Sequence, residues 1–157
     1  MLAIYDMPGH LIWRMHQISS SIFLERVSRA GYDLTPVQFA ALSAINTYPG
    51  LDQATIAGMI AYDRVTIGGV VDRLEQKGLV SRVVSKRDRR ARELESTEDG
   101  CRLARRLEKI VQEIQLEILG GLDHKEKATF IKLLKKATDA GNELSRAPLR
   151  VSPQEVM

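Results

Sequence analysis

Residues 86–92 read KRDRRAR, so six of seven side chains can carry charge and five of them are positive. Such a cluster suits one chemistry above others, the neutralisation of a polyanion. From Arg73 to Arg92 eight cations stand against two acids, Glu75 and Asp88. The segment therefore carries +6, which leaves −3 for the remainder of a chain whose total is +3. A basic patch on an otherwise mildly acidic chain points to nucleic acid, with a solvated loop as the plain alternative. No enzymatic constellation competes with it. His10, His16 and His124 have no metal-type spacing with carboxylates or thiols. There is no nucleophile elbow, phosphate loop or paired-carboxylate motif, and nothing calls for a cofactor.

The elements around the cluster must present it. At 157 residues with 44% hydrophobic and 27% charged side chains, the chain fits one domain with a real core. Cys101 is the only cysteine, so no internal disulfide forms and a reducing cytoplasm is the expected setting. No basic leader and no apolar run of about 18 residues is visible, so no membrane is expected.

Leu11, Met15, Ile18 and Ile22 recur at helical spacing and predict a first helix over 9–30 that stops at Gly31. TPVQ (35–38) opens a second helix, with Thr35 as cap, Pro36 in the first turn and Gln38 at the reciprocal capping position. A short helix over 52–60 capped by Asp52 follows, then the tight connection AYD. A helix RVTIGGVVDRLEQK begins after Asp63, with Ile67, Val70, Val71 and Leu74 inward and Gly78 as its stop. Two short helices joined by a tight turn are a helix-turn-helix. LVSRVVS (79–85) reads as a strand and ARELES (91–96) as its partner, which puts KRDRRAR at a hairpin tip. A long helix starts near Thr97 with the stripe Leu103, Leu107, Ile110, Ile114 and Ile118. Asp123 and Glu126 form a capping box for a last helix, with Phe130, Leu134, Ala137 and Leu144 on one side. The tail from Ala147 is expected to be poorly ordered.

The predicted fold is therefore mainly α with a small β-hairpin wing, a winged helix-turn-helix flanked by N- and C-terminal helices. Its parts are 1–34 (first helix and pocket), 35–97 (DNA-binding lobe), 98–146 (C-terminal helices) and 147–157 (tail). A helix fits the major groove, where base edges carry a readable code. Arginines on a wing suit the adjacent minor groove or backbone. Arg64 and Thr66 are expected to meet bases, and Arg73 and Lys77 phosphates. Lys86, Arg87, Arg89 and Arg90 are the wing contacts. Asp88 either pairs with Arg90 or Arg92 to shape the tip or simply forms a turn. Gly68 and Gly69 are costly in a helix interior. They permit either close approach to DNA or close packing of a neighbouring helix.

DRRARELESTEDG (88–100) resembles the wing signature of the MarR family of bacterial regulators, D-x-R-x-x-x-x-x-L-T-x-x-G. Asp88, Arg90, Thr97 and Gly100 are in register, and Ser96 stands where leucine is usual. DRVTIGGVVDRLEQKGLVSR (63–82) is similar to the family's recognition helix and first wing strand, and LTPVQFAALSAI (34–45) resembles the helix before them. The likeness covers roughly 10–145. It implies a homodimer whose N- and C-terminal helices interlock. Val111, Leu116 and Leu119, apolar beyond one stripe of the long helix, agree with that independently. PGHLI, TPVQFAAL and AYDRVTIGG are similar to regulators of aromatic and nicotinate catabolism.

One face of the first helix carries His10, Trp13, Arg14, Gln17, Ser20 and Ser21, with Asp6 and His16 on the flank. A ring, a cation and hydrogen-bonding groups suit a small aromatic carboxylate. Polar dimer contacts would use the same residues. The resemblance favours an effector site, since many MarR-like regulators bind aromatic carboxylates between the dimer helices and the lobe. The expectation is a ligand-responsive homodimeric repressor on a pseudo-palindromic double-stranded operator, with a small aromatic or heteroaromatic acid as effector, for example a hydroxylated nicotinate. A redox regulator using Cys101 is one alternative. A winged module that binds only proteins is another, but it would not need a +6 segment.

Overall fold

The computed structural model describes residues 2–85, 89–90 and 92–151. After a 3-10 turn at Ala3–Asp6, six helices and one hairpin follow among these residues: α1 Pro8–Arg29, α2 Pro36–Thr47, α3 Gln53–Met59, α4 Ile67–Gln76, β1 Val80–Val84, β2 Arg92–Ser96, α5 Glu98–Ile118 and α6 His124–Ala140. A second 3-10 turn, Asn142–Leu144, closes the order. The winged helix-turn-helix architecture is the one the sequence predicts.

Local chemistry explains the element starts. The Thr35 side chain accepts from the Gln38 amide and the Gln38 side chain accepts from the Thr35 amide, so α2 opens on a complete capping box. Asp52 Oδ1 accepts from the amides of Ala54 and Thr55 at 2.8 and 3.0 Å, and Oδ2 accepts from the Thr55 hydroxyl at 2.8 Å. Asp123 and Glu126 repeat the box at α6. The expectation for α4 needs correcting. The helix starts at Ile67, and residues 64–66 form a turn. Asp63 caps that turn through the Val65 amide at 2.7 Å.

The core gathers around the lobe. Phe23 and Val27 of α1, Ala41, Leu42 and Ile45 of α2, and Ile56 and Ala57 of α3 meet the inward row Ile67, Val70, Val71 and Leu74 of α4, with Leu107 and Ile114 of α5. The first helix forms as its apolar spacing predicts, but little of it is buried. Its buried residues are Phe23 and Val27, while Leu11 and Ile18 are exposed. The first half of α1, beside the 3-10 turn, leaves Leu11, Ile12, Trp13 and Ile18 exposed. Likewise α6 contains no buried residue. Leu144, expected on the α6 stripe, lies in the following 3-10 turn and is exposed. The tail from Ala147 is anchored further than expected. The Leu149 amide donates to Asn142 Oδ1 at 2.8 Å, and the Arg150 amide donates to the Gly58 carbonyl at 2.9 Å.

The hairpin is antiparallel, running from Val80 opposite Ser96 to Val84 opposite Arg92. The α2–α3 connection joins it. Gly50 donates to the Leu94 carbonyl and Leu94 donates to the Leu51 carbonyl, both at 2.9 Å. Gly50 has φ +87°, a conformation natural to glycine, which turns the chain onto the strand edge. This third edge fixes the wing against the lobe.

Candidate functional site

The head of α4 is bare. Arg64, Val65 and Thr66 in the entry turn are exposed, as are Gly69 and Arg73 on the outward side of the helix. Thr66, Gly69 and Arg73 are spaced i, i+3 and i+7, one stripe opposite the inward row. The Thr66 hydroxyl donates to the Asp63 carbonyl at 3.2 Å, which fixes the side chain at the tip. Val65 is 90% exposed. Sequence reasoning passed over it because a valine among helical residues reads as core. A methyl-bearing side chain at this tip is suited to the thymine methyl in a major groove.

The two glycines separate. A β-carbon on Gly69 would meet nothing within 4 Å, whereas one on Gly68 would lie 3.3 Å from Gln53 Nε2 of α3. Gly68 therefore belongs to the packing of α3 against α4, and Gly69 to the open stripe.

Lys77, expected among the phosphate contacts, is engaged inside the protomer. Its Nζ pairs with Asp33 Oδ2 at 2.9 Å and donates to the Asp33 carbonyl, which ties the end of α4 to the loop before α2. Arg82 on β1, one of the eight cations between Arg73 and Arg92, braces the wing to the recognition helix. Its guanidinium lies 2.5 Å from both Asp72 Oδ1 and Glu75 Oε2, and its Nη2 reaches Gln53 Oε1 at 3.4 Å. Burial works against its charge, but the hydrogen bonds and charges of Asp72 and Glu75 prevail and hold its pKa above the ordinary arginine value.

At the wing tip Arg89 and Arg90 sit in an exposed turn, and Arg92 donates to the Arg89 carbonyl at 3.4 Å. Lys86, Arg87 and Asp88 lie outside the described residues, as does any pairing of Asp88 with Arg90 or Arg92. At the wing base the Thr97 hydroxyl donates to the Gly78 carbonyl at 2.6 Å and accepts from the Gly100 amide at 3.0 Å. Ser96, in the place where leucine is usual, is half-buried. Its Oγ is buried with no hydrogen-bond partner among the described residues.

On α1 the structure brings His10 and Trp13 together, with ring centroids 5.7 Å apart. Tyr5 extends the row at 6.0 Å from His10. Tyr5 was missed because it precedes the helix, where periodicity gives no signal. Trp13 is 55% exposed. Arg14, Gln17, His16 and Asp6 are also exposed, and within the protomer none of these groups is closed off from solvent. Cys101 is a free thiol, half-buried in the first turns of α5.

Residues 34–91 match the MarR family. The PcaV transcriptional regulator of Streptomyces coelicolor, solved with its natural ligand, superposes with a TM-score of 0.79 at 33% identity, covering 90% of this chain and 98% of that one. This chain belongs to the MarR family. Bordetella bronchiseptica BpsR, whose DNA binding is described as regulated by 6-hydroxynicotinic acid, superposes at 0.80 with 27% identity, covering 88% and 98%. The HTH-type transcriptional repressor NicR of Pseudomonas putida is 29% identical over 137 residues, covering 87% of this chain and 85% of that one.

MarR proteins are DNA-binding transcription factors and not enzymes. No helix among the described residues is long and apolar enough to cross a membrane. The MarR signature also acquires a physical reading here, since its threonine and glycine are the two residues that close the wing base.

Proposed function

We propose that this MarR protein is a homodimeric repressor, released from a pseudo-palindromic operator by a small aromatic or heteroaromatic carboxylate, with a hydroxylated nicotinate as the leading effector. Dimer formation is supported by the apolar side chains left bare on the terminal helices: Ile12 and Trp13 on α1, Leu116 on α5, and Ile131, Leu133 and Leu134 on α6. Leu116 alone is 68% exposed. A helix with no buried residue gains its stability from packing, and a second copy would supply it.

The effector half of the reading rests on the Tyr5–His10–Trp13 row with Arg14 on the same face. Rings stack on an aromatic acid and a guanidinium grips its carboxylate with two parallel hydrogen bonds. The row lies beside the bare apolar half of α1, so a partner helix would close over it and exclude water. The DNA binding of BpsR is described as regulated by 6-hydroxynicotinic acid, which favours the same chemistry here, and NicR is named a repressor, which favours that sign of regulation. The ligand would act by favouring one spacing of the two lobes, because a ligand indifferent to spacing shifts nothing. Titrating operator-bound protein with 6-hydroxynicotinate and substituted benzoates tests the reading. Release by one of these acids is expected, with a clear loss of potency in Arg14→Ala. Equal release from both proteins removes Arg14 as the clamp, and no release at millimolar acid removes the effector.

A further inference from the structure

The C-terminal stretch after α6 returns to the lobe and lands on the turn of the helix-turn-helix. The Arg150 amide donates to the Gly58 carbonyl at the end of α3, at 2.9 Å. Arg146 pairs with Asp63 Oδ2 at 3.2 Å. Asp63 is the residue whose other oxygen and carbonyl organise Val65, Thr66 and Ile67 at the head of α4. The stretch is itself braced. Asn142 bonds both the amide and the carbonyl of Leu149, and Glu143 holds the Arg150 guanidinium at 2.6 and 3.1 Å. Between these anchors Ala61 adopts φ +52°, the one non-glycine residue with positive φ among those described. It borders a cavity of about 370 Å³ whose other wall includes Thr138, Asn142 and Leu149.

We propose that residues 142–150 form a strap that fixes the helix-turn-helix turn to the end of α6, and so sets the separation at which the two reading heads of a dimer present themselves. The argument is geometric. The lobe shares its core with α1 and α5 through Phe23, Val27, Leu107 and Ile114. The strap adds a second attachment, at the turn that carries the recognition helix, and restrains the motion that this one packed seam still allows. Arg146 and Arg150 are positioning residues in this arrangement. The Arg146 side chain is 92% exposed, so its ion pair alone is worth little and the Arg150 amide is the main tether. This rests on the dimeric DNA-binding reading given above.

Arg150→Pro removes the amide donor, while Arg150→Ala keeps it and removes only the guanidinium. The first readout needs no DNA. In the full-length protein, hydrogen exchange at amides 60–67 should accelerate most in Arg150→Pro and less in Arg150→Ala, which loses the Glu143 brace but keeps the amide tether, with the core amides of α2 unchanged in both. The second is the ratio of affinities for the natural operator and for one with two base pairs inserted between half-sites. Arg150→Pro should reduce that ratio by about fivefold, with base preference within a half-site intact. Unchanged exchange or an unchanged ratio overturns the strap. So does dissociation of the dimer by Arg150→Pro, which would place the segment in the subunit interface. A drop of about one in the salt slope for Arg146→Ala would make Arg146 a phosphate contact, and also overturns it. A wild-type protein indifferent to half-site spacing, with exchange responding as described, would instead fail the dimeric reading and leave the tether standing.

Discussion

Gly100 in the first turn of α5 lies against the backbone of Leu79 at the foot of β1. A β-carbon at Gly100 would overlap the Leu79 carbonyl oxygen and sit 3.0 Å from its carbonyl carbon. The same Leu79 oxygen accepts from the Thr97 amide at 3.0 Å, so it cannot move aside without breaking the junction between wing and long helix.

Gly100→Ala should therefore cost at least about 2 kcal/mol, in the upper part of the range for overpacked sites. Urea unfolding would measure this, and operator affinity of the remaining folded protein should fall because the wing is displaced. Stability within a few tenths of wild type would show that the junction yields, and the close approach would then not be what requires glycine.

The orphaned Ser96 hydroxyl gives a prediction of opposite sign. A buried donor without a partner costs about 1–3 kcal/mol relative to its satisfied state. Ser96→Ala removes the group without opening much space and should raise the unfolding free energy by about 1 kcal/mol. A loss of stability would mean that the hydroxyl is satisfied in solution, by water or by a group outside the described residues.

The lobe was legible in the sequence because its signals are local. Caps at Thr35 and Asp52 and the inward row of α4 depend on residues three or four apart, as does the cap of α6 at Asp123 beyond the lobe. What the sequence hid depends on distant chain. Lys77 and Arg73 look alike on a helical wheel, and only the position of Asp33 separates them. Gly68 and Gly69 are neighbours, and only Gln53 of α3 tells their roles apart. The spacing of Leu11 and Ile18 marks the helix correctly, but both are exposed, because periodicity marks an apolar face without saying whether anything covers it.

Asp52 links the fold to pH. Burial pushes its carboxyl up, but the amides of Thr55 and Ala54 and the Thr55 hydroxyl outweigh that and hold it below the ordinary carboxylate value. A depressed folded-state pKa stabilises above the unfolded value, near about 3.9, and that contribution disappears as pH falls through the folded value. Asp52→Ala should be less stable than wild type by about 1 kcal/mol at neutral pH. The two unfolding curves should converge when acid carries wild type below its folded pKa. A gap that persists there would make the loss one of packing or helix propensity, not of the charged cap.

The two glycines of α4 can be separated by stability and binding together. Gly69→Ala should stabilise the free protein by about 0.5–1 kcal/mol, since the new methyl group meets open space and helix propensity improves. Its operator affinity should fall, because the same methyl group stands between backbone and groove. Gly68→Ala must displace the end of Gln53, a flexible side chain, so its gain should be smaller and its operator affinity closer to wild type. Equal behaviour of the two variants would remove the distinction between the packed and the open glycine.

Salt dependence separates the cations that a sequence cannot. Each phosphate neutralised on binding releases counterions, so losing one such contact lowers the slope of log affinity against log salt by about one. Arg73 is exposed on the outward stripe and Arg90 in the wing turn, whereas Lys77 is committed to Asp33. Arg73→Ala and Arg90→Ala should each lower the slope by about one, with Arg90→Ala losing about tenfold or more in operator affinity. Lys77→Ala should leave the slope unchanged and show instead a modest loss of stability, within about 1 kcal/mol for a largely solvated pair. Thr66→Ala should keep the slope and relax base preference by about 1–3 kcal/mol at one position of each half-site. If Lys77→Ala lowers the slope as Arg73→Ala does, the lysine leaves Asp33 for DNA in the complex, and the ion pair would be a competitor of binding.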